Sequence, residues 1–442
     1  MKWDTLISDK RLGLEKFHDP RMHTRSDFQR DYDRMIFSSP FRRLQNKTQV
    51  FPLPGSVFVH NRLTHSLEVS SVGRSLANEV AMRLRSLHPG EPWLGHLDSI
   101  GDIVATSCLS HDIGNPPFGH SGEKTISTFF SEGGEISRAL KTCLTPQQWN
   151  DLIHFEGNAN SLRVLTHQFV GRREGGFAMT YSAIAAVVKY PHSSLMAGPA
   201  GKFGFFASEE ETYRKIASEL GIPEIEPGRF ARHPLTHIVE AADDICYQIM
   251  DIEDAHKLKI LSTAQVVELL SGFFTGEEKE KTLRGVGHLD DPNEQVGYLR
   301  SKVIGRLVEG CADEFAANEA DILAGAYPGN LISHLPAPLC EAYGECARTA
   351  VSKIYRSPEV VDIEIAGNRI ITYLMKALTE AALYPDRHFS RLLLEKVPRQ
   401  YDIRAVDLYT RIQSVLDHVS AMTDVYALDL FRRLTAHSLP AV

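Results

Sequence analysis

Apolar residues recur every three or four positions along most of this chain, in segments long enough to predict helices rather than strands. The first long segment runs from Leu63 to Leu87. A second apolar run leads into the pair His111-Asp112, and Asp98 is the expected N-cap of its helix. A third helix is predicted over Leu235–Lys257, with isoleucines on one face and Asp243 among acidic and tyrosine residues on the other.

Shorter segments with the same periodicity fill most of the remaining chain. Residues 1–50 are polar and highly charged, which favours short helices with much exposed surface, and the glycine-rich aromatic stretch 192–206 favours a mobile loop or a small hairpin. No segment alternates convincingly between apolar and polar residues, so the predicted fold is all-α. Further helices are expected at 158–169, 180–190, 294–324, 338–355, 360–383, 402–420 and 425–434.

The composition of the 442 residues is that of a soluble globular protein, with 43% apolar and 24% charged residues. The net charge of −8 gives no support for a general attraction to nucleic acid or membranes. Six cysteines without CxxC spacing argue against a zinc ribbon or a disulfide framework. The N-terminus has no apolar signal segment and no run is long enough to span a membrane, so we expect a cytoplasmic protein.

The candidate metal-binding and catalytic residues are concentrated in one stretch, Leu109–Glu123, with the sequence LSHDIGNPPFGHSGE. His111-Asp112 ends an apolar helix, and a glycine and two prolines then prevent that helix from continuing. His120 and Glu123 follow on the expected first turn of the next helix. Buried polar groups need partners, and a divalent metal is a suitable partner for an adjacent histidine and aspartate.

Two other segments carry compatible metal ligands. His65 lies at the start of one amphipathic helix and Asp243-Asp244 lies within another. Together with His111-Asp112 they would form a mixed nitrogen and oxygen site, which suits Mn²⁺, Fe²⁺, Zn²⁺ or Ni²⁺ and is less natural for Mg²⁺. Spacing alone does not join these pieces: His65 taken alone is more often structural, and the acidic face around Asp243 taken alone is more often the solvated side of an amphipathic helix.

The order His65, His111-Asp112, Asp243 resembles the H…HD…D signature of the HD-domain phosphohydrolases. The resemblance is closer to one family within them, the bacterial deoxynucleoside-triphosphate triphosphohydrolases, often called dGTPases, and runs from about residue 24 to 434. It is carried by FRRLQNKTQVFP (41–52), NRLTHSLEV (61–69), HDIGNPPFGHSGE (111–123), FEGNANSLRVLTH (155–167), VVKYP (187–191), EAADDICY (240–247) and MTDVYALDLFRRL (422–434).

This resemblance implies a helical HD-domain bundle with additional C-terminal helices. Residues 1–275 would form the metal-dependent core with an N-terminal arm, and residues 276–442 a helical region packed on it. The implied reaction is attack of water on the α-phosphorus of a deoxynucleoside triphosphate, dGTP and possibly other dNTPs. It releases deoxynucleoside and inorganic triphosphate. The implied cofactor is a divalent ion, Mn²⁺ or Mg²⁺, with Fe²⁺, Ni²⁺ and Zn²⁺ as alternatives.

The resemblance also assigns roles to residues within the stretch Leu109–Glu123 and to two residues outside it. His120 and Glu123 match the family's catalytic pair, in which a histidine oriented by a carboxylate accepts a proton. The family pattern selects Asp243 over its neighbour Asp244. The implied metal ligands are His65, His111, Asp112 and Asp243.

Contacts to the sugar are implied at three positions. Gln49 occupies the position that contacts the 3′-hydroxyl, and Tyr247 matches the tyrosine that closes against the 2′ position. A ring packed there would exclude ribonucleotides sterically. Asp251, one helical turn beyond Tyr247, is a further acceptor for a sugar hydroxyl.

Contacts to the phosphates are implied mainly by Lys189-Tyr190, which matches the family pair facing the triphosphate; an ordinary lysine at a helix C-terminus is the alternative. Asn158 matches another phosphate-side contact, and Asn160 is its rival. Additional positive charge is available from Arg42, Arg43 and Arg62, for which a surface role is equally expected.

The family further implies a ring-like homo-oligomer, often a hexamer, in which arginines of a neighbour complete a site. Arg356 and Arg369 lie in the relevant region. A second dNTP as activator at a subunit interface and single-stranded DNA as effector are left open, the latter without support from the charge. One position departs from the pattern: Asn115 stands where many relatives have histidine, which would alter the support of the metal ligands.

Two other functions compete with this hypothesis. One is a catalytically silent HD protein that senses nucleotides or binds nucleic acid; the complete metal set and the pair His120 and Glu123 argue against it. The other is a hydrolase of deoxynucleoside monophosphates or of signalling nucleotides. Lys189-Tyr190 and the nearly full-length resemblance favour a triphosphate substrate instead.

Overall fold

Helices dominate the computed structural model, which describes residues 1–16, 24–51 and 59–437. Within these ranges the only sheet is an antiparallel hairpin of β1 (Glu224–Glu226) and β2 (Arg229–Phe230), so the all-α prediction is confirmed. The α-helices are α1 Trp3–Leu6, α2 Asp27–Ile36, α3 Ser39–Arg43, α4 Arg62–Leu87, α5 Ile100–Ser110, α6 Gly119–Ser131, α7 Glu135–Cys143, α8 Pro146–Ile153, α9 Gly157–Thr166, α10 Tyr181–Val187, α11 Glu210–Glu219, α12 Pro234–Lys257, α13 Thr263–Ser271, α14 Gly276–Gly287, α15 Pro292–Ala317, α16 Glu319–Ala324, α17 Ala337–Thr349, α18 Pro358–Leu383, α19 His388–Leu394, α20 Leu408–Ser420 and α21 Asp424–Leu434.

Short helical turns of other types connect several of these helices. They are the 3₁₀ turns Leu44–Asn46, Pro92–Ser99, Ser194–Met196 and Ile332–His334 and the π-helical turn Ala350–Ile354. All six cysteines are free thiols. No helix in the described part of the chain has both the length and the apolar composition to cross a membrane. The predicted cytoplasmic location stays a prediction.

Helices α4, α5 and α12 form the centre of the structure and carry the predicted metal ligands. Asn61 begins α4 with a capping box, since its side chain accepts the Thr64 N–H at 3.0 Å and Thr64 Oγ1 accepts the Asn61 N–H at 3.1 Å. Gly73 lets α4 approach α5 closely, because a Cβ there would lie 2.6 Å from Cys108 Sγ. This close packing brings the start of α4 beside the end of α5.

Two hydrophobic cores lie in the described chain. The first is built around α4, α5, α10, α12 and α15, and the second around α6, α18, α20 and α21. Apolar residues from both sides of residue 275 share the first core, for example Ile245 and Leu307. The predicted division into 1–275 and 276–442 stays a prediction.

Several predicted helix boundaries were wrong. The helix that ends before His111 begins at Ile100, after a 3₁₀ turn, and Asp98 is not its N-cap but an exposed residue paired with Arg85. Helix α9 ends at Thr166 rather than residue 169, and α10 ends at Val187 rather than residue 190. The predicted helix 294–324 is divided into α15 and α16. The predicted helix 402–420 is shorter in the structure, where α20 begins at Leu408.

The N-terminal region is more buried than predicted. Trp3, Leu6 and Met35 are at most 3% exposed and join the first core, because these apolar residues among the charges face inwards, whereas Phe37 is exposed. The part of this prediction that falls on residues 17–23 lies outside the described residues. The stretch 192–206 is not a hairpin: it contains a 3₁₀ turn and a single parallel bridge between Ser193 and Phe205, and its three phenylalanines are buried.

Candidate active site

Three predicted metal ligands from three helices meet at one point. His65 lies in the first turn of α4, His111 directly after α5, and Asp243 in the middle of α12. The Oδ1 atom of Asp243 lies 3.1 Å from His65 Nε2 and 3.4 Å from His111 Nε2. The ligand atoms of the three residues all lie within 4.8 Å of one another, as a group holding a metal requires.

The chemistry of this donor set fits a divalent metal. His111 Nδ1 donates to the main-chain oxygen of Cys108 at 2.6 Å, which leaves the Nε2 lone pair for a ligand on the cluster side. Burial acts against a charged His111, but the carboxylates of Asp112 and Asp243 raise its pKa to about 9. The same negative potential favours a cation among these residues.

Asp112, the fourth predicted ligand, borders this cluster and is held by neighbours. Its Oδ2 accepts from Arg62 Nη1 at 2.6 Å and its Oδ1 accepts from Asn115 Nδ2 at 2.5 Å. Burial opposes ionisation of Asp112, but the Arg62 guanidinium and the histidines lower its pKa below the ordinary value. Asn115 therefore orients this carboxylate at the position where the family pattern has histidine.

The predicted catalytic pair forms a direct contact on the first turn of α6. His120 Nδ1 lies 2.8 Å from Glu123 Oε2, and the hydrogen bond with Glu123 raises the pKa of His120. Glu123 Oε1 accepts the N–H of Gly157 at 2.9 Å, which fixes the carboxylate from behind. With Nδ1 facing Glu123, Nε2 of the imidazole is the atom that can accept a proton.

Gly157 begins α9 at a point of very close approach. A Cβ at this position would clash with Asn115 Oδ1 and with Glu123 Oε1. Only glycine allows the start of α9 to lie against both side chains. The loop before α6 and the start of α9 are thereby locked together around the catalytic pair.

A cavity of about 280 Å³ is lined by the candidate metal ligands His65, His111, Asp112 and Asp243 and by the predicted catalytic pair His120 and Glu123. Eleven of the twelve predicted site residues line it; Asp251 does not. The sequence analysis missed two charged lining residues, Glu156 and Lys202, and gave no role to a third, Asp244. No spacing signal marks Lys202, since it is a single lysine in the glycine-rich stretch.

The two lysines that line the cavity are held by buried carboxylates. Lys189 Nζ lies 3.3 Å from Glu240 Oε1, and Lys202 Nζ donates to Glu156 Oε1 at 2.6 Å.

Asn158 also donates to Glu156 Oε1, at 2.9 Å, and lines the cavity. Its rival Asn160 is buried and donates to the main-chain oxygen of Gly114 at 2.6 Å, away from the cavity lining. Of the three arginines considered, Arg62 lines the cavity, whereas Arg42 and Arg43 do not.

The residues predicted to contact the sugar include one buried polar atom without a partner in the described chain and the aromatic ring of Tyr247. Gln49 Oε1 is buried and has no hydrogen-bond partner among the described residues. The Tyr247 ring lies 6.4 Å from the His65 ring and 6.1 Å from the Tyr355 ring. Asp251, which is 4% exposed, accepts from the Tyr355 hydroxyl at 2.7 Å, and burial raises its pKa to about 8.

Comparisons with known proteins match both halves of the chain. Residues 62–148 match the HD domain and residues 334–433 match the phosphohydrolase-associated domain. A deoxyguanosinetriphosphate triphosphohydrolase-like protein of Pseudomonas aeruginosa is 37% identical over the full length of both chains. A protein of the same description from Synechocystis is 35% identical over 99% of this chain and 100% of its own. The deoxyguanosinetriphosphate triphosphohydrolase of Yersinia enterocolitica is 31% identical over 92% of this chain and 94% of its own. This chain belongs to the deoxyguanosinetriphosphate triphosphohydrolase family of HD-domain phosphohydrolases.

Proposed function

We propose that this protein is a metal-dependent hydrolase that cleaves deoxynucleoside triphosphates, dGTP among them, into deoxynucleoside and inorganic triphosphate. The observation that carries the proposal is the convergence of His65, His111 and Asp243 in one cavity with the pair His120 and Glu123. Membership of the triphosphohydrolase family supports the same reaction.

The proposed metal ligands are His65, His111, Asp112 and Asp243, and we expect Mn²⁺ or Mg²⁺ as the ion. Imidazole nitrogens also suit Fe²⁺, Ni²⁺ and Zn²⁺. When bound, such an ion supplies Lewis acidity at a phosphate oxygen. Arg62 and Asn115 hold Asp112 in place, and the Cys108 carbonyl holds His111, so the protein orients these ligands independently of the substrate.

His120 is the proposed proton acceptor of the reaction. The oxygen of water forms a bond to the α-phosphorus, the bond between that phosphorus and the 5′-oxygen breaks, and the proton of water passes to His120 Nε2. The 5′-oxygen leaves with the deoxynucleoside and takes up a proton, so the triphosphate chain stays intact. Glu123 stabilises the imidazolium that forms, because its carboxylate lies 2.8 Å from Nδ1.

The substrate is proposed to lie with its phosphates near Lys189, Tyr190 and Asn158 and its sugar near Gln49 and Tyr247. The positions of these residues around one cavity support this orientation. Gln49 Oε1, which has no hydrogen-bond partner within the described ranges, is suited to accept from the 3′-hydroxyl.

Asp251 is proposed to act on the sugar side as well. Its carboxylate accepts from Tyr355, whose ring lies beside that of Tyr247. Lys202 is an additional candidate for a phosphate contact, because its ammonium group lines the same cavity.

A homo-oligomer, such as a hexamer, is proposed as the assembly. Arg356 and Arg369 are exposed and do not line the cavity of their own chain, so both are available to a neighbouring subunit. Exposed apolar side chains in the same region of the chain, Ile365 on the α18 helix that carries Arg369 and Phe389 on α19, support an interface there. A dNTP activator at that interface is the corresponding regulatory proposal, and size-exclusion chromatography with and without dNTPs tests both.

Product analysis tests the proposed reaction. Each of the four dNTPs, singly and mixed, is incubated with the purified protein and Mn²⁺ or Mg²⁺, and the phosphate products are separated by ion exchange. We expect inorganic triphosphate and deoxynucleoside, while orthophosphate as the first product would contradict the proposal. A rate seen only in mixtures would support activation by a second nucleotide.

A further inference from the structure

A second cavity, of about 240 Å³, lies beside the catalytic cavity and shares Lys189 and Tyr190 with it. Its other walls come from the β1–β2 hairpin, the start of α12 and the segment after α16, through residues that include Arg229, Arg232, His237 and Tyr327. No residue found only in this second cavity has a role in the proposed reaction.

Arg229 faces this cavity with little neutralisation of its charge. The nearest carboxylate is that of Glu226, at 4.0 Å, and Arg229 Nε is buried without a hydrogen-bond partner among the described residues. The main chain of Arg229 is held firmly, by β1 and by a bridge to His192. The hairpin thus presents a positioned guanidinium with an unused donor.

Two further cations of this cavity share a single carboxylate. Arg232 Nη1 donates to Glu240 Oε2 at 2.8 Å, and Lys189 Nζ lies 3.3 Å from Glu240 Oε1. The Tyr190 ring lies between these cations, 5.9 Å from Arg232 Cζ and 6.0 Å from Lys189 Nζ. The charged residues that line the cavity are Lys189, Arg229 and Arg232, and no carboxylate of the described chain is among its lining residues, which favours an anion with several charges.

His237 supplies an independent indication of a ligand. It is only 3% exposed, lines the cavity, and its Nδ1 has no hydrogen-bond partner in the described part of the chain. The ring is fixed edge-on against Tyr327, with 5.4 Å between the centroids. Buried polar atoms in native proteins are usually satisfied, so an oxygen-rich ligand in the cavity accounts for this atom.

We propose that this second cavity binds a polyphosphate anion. The inference rests on the proposed function, since hydrolysis next to the shared residues Lys189 and Tyr190 would release inorganic triphosphate at its edge. The triphosphate group of a second nucleotide has the same chemistry and is the other source. In either case Arg229, Arg232 and His237 contact phosphate oxygens.

Calorimetric titration of the full-length protein with inorganic triphosphate tests the site without any turnover. We expect Arg229→Ala to weaken one binding event about tenfold and Arg229→Lys to weaken it less, because lysine keeps the charge but not the forked donors. Arg214→Ala is the matched control: Arg214 pairs with Glu224 of the same hairpin but does not line the cavity, so binding should be unchanged. Equal affinity in all four proteins would overturn the proposal.

Kinetics distinguish the two sources of the anion. If the site holds released product, Arg229→Ala weakens inhibition by added inorganic triphosphate and leaves the response to dNTP mixtures unchanged. If it holds a second nucleotide, the variant alters the response to mixtures instead. A protein that binds triphosphate at this site but hydrolyses no dNTP would refute the proposed function and not the polyphosphate site, so the two failures are separable.

Discussion

At the scale of single residues, the proposed catalytic pair, His120 and Glu123, combines an accessible side chain with a fixed partner. The His120 side chain is 82% exposed, whereas that of Glu123 is 11% exposed and is tied to Gly157. A base that must meet water and phosphate has to be accessible, and a partner that orients it has to be rigid. His120 Nδ1 lies 2.8 Å from Glu123 Oε2, so the pKa of His120 depends on the charge of Glu123.

The variant Glu123→Gln tests this link through the pH dependence of the rate. Glu123 raises the pKa of His120, and only unprotonated His120 accepts a proton, so kcat/KM rises with pH through that pKa. Removing the charge should lower the pKa of His120, move the acidic limb to lower pH and reduce the maximal rate about 10- to 100-fold. A reduced rate with an unmoved acidic limb would indicate a merely structural role for Glu123.

Tyr247 is the residue expected to determine the choice of sugar. Its ring is supported by those of His65 and Tyr355, so the wall it forms is rigid. We expect Tyr247→Ala to raise kcat/KM for ribonucleotides relative to deoxyribonucleotides at least about tenfold, because one lost steric contact is worth 1–3 kcal/mol. Tyr247→Phe keeps the ring and should keep the selectivity. Unchanged discrimination in the alanine variant would refute the steric role.

Most residues that line the candidate cavity were predicted from the sequence because short motifs carry them. His111, His120 and Glu123 lie within fifteen residues, where local spacing and family resemblance act together. Glu156 and Lys202 could not be found in this way, since their contact joins positions 46 residues apart. Asp251 was predicted to accept from the sugar, but in the fold it lies outside the cavity lining and accepts from Tyr355.

At the scale of elements, apolar periodicity predicted the long helices well and their ends less well. Helix α12 begins and ends within a residue of the prediction. Helix α10 ends earlier than predicted because Val188 is extended, and the chain then directs Lys189 towards Glu240. Pro191 predicts that the helix ends nearby but does not fix the residue at which it ends.

His60 joins the start of α4 to the end of α12. Its Nδ1 lies 2.8 Å from Asp254 Oδ1, its Nε2 lies 3.1 Å from Glu68 Oε1, and its main-chain N–H donates to Asp254 Oδ2 at 2.8 Å. Burial acts to lower the pKa of His60, but the two carboxylates raise it to about 10. The folded protein therefore holds a proton here that the unfolded chain releases near pH 6.5.

Stability should depend on pH through this residue. Because the pKa is raised on folding, the contribution of His60 is complete below about pH 6.5 and is lost as the pH rises towards 10. Urea unfolding at pH 6 and pH 9.5 should show a larger loss of stability in the wild type than in His60→Gln, whose side chain does not titrate. Equal losses in the two proteins would contradict the assignment.

At the scale of the whole molecule, the buried ion cluster around Arg163 connects α9 with the C-terminal helices. The Arg163 side chain is 1% exposed and contacts Asp417 on α20 through Nε and Nη2, both at 2.8 Å. Its Nη1 donates to Glu209 at 2.7 Å. One arginine thus satisfies two buried carboxylates from distant parts of the chain.

Replacing this arginine should destabilise the entire fold. Arg163→Met leaves Asp417 and Glu209 buried without a counter-charge, and we expect a loss of about 3–5 kcal/mol in the free energy of unfolding. Arg348→Ala is the control, because its pairing with Glu345 is exposed and should contribute less than about 1 kcal/mol. Similar unfolding midpoints for the two variants would show that the buried cluster does not hold these regions together.

The measurement that tests the central claim most directly is hydrolysis of dGTP in ¹⁸O-labelled water with Mn²⁺, followed by mass spectrometry of both products. Attack on the α-phosphorus predicts one ¹⁸O atom in inorganic triphosphate and none in deoxyguanosine. His120→Ala should form neither product at an appreciable rate while its metal content stays that of the wild type. Label in orthophosphate or pyrophosphate, or full activity of His120→Ala, would contradict the account.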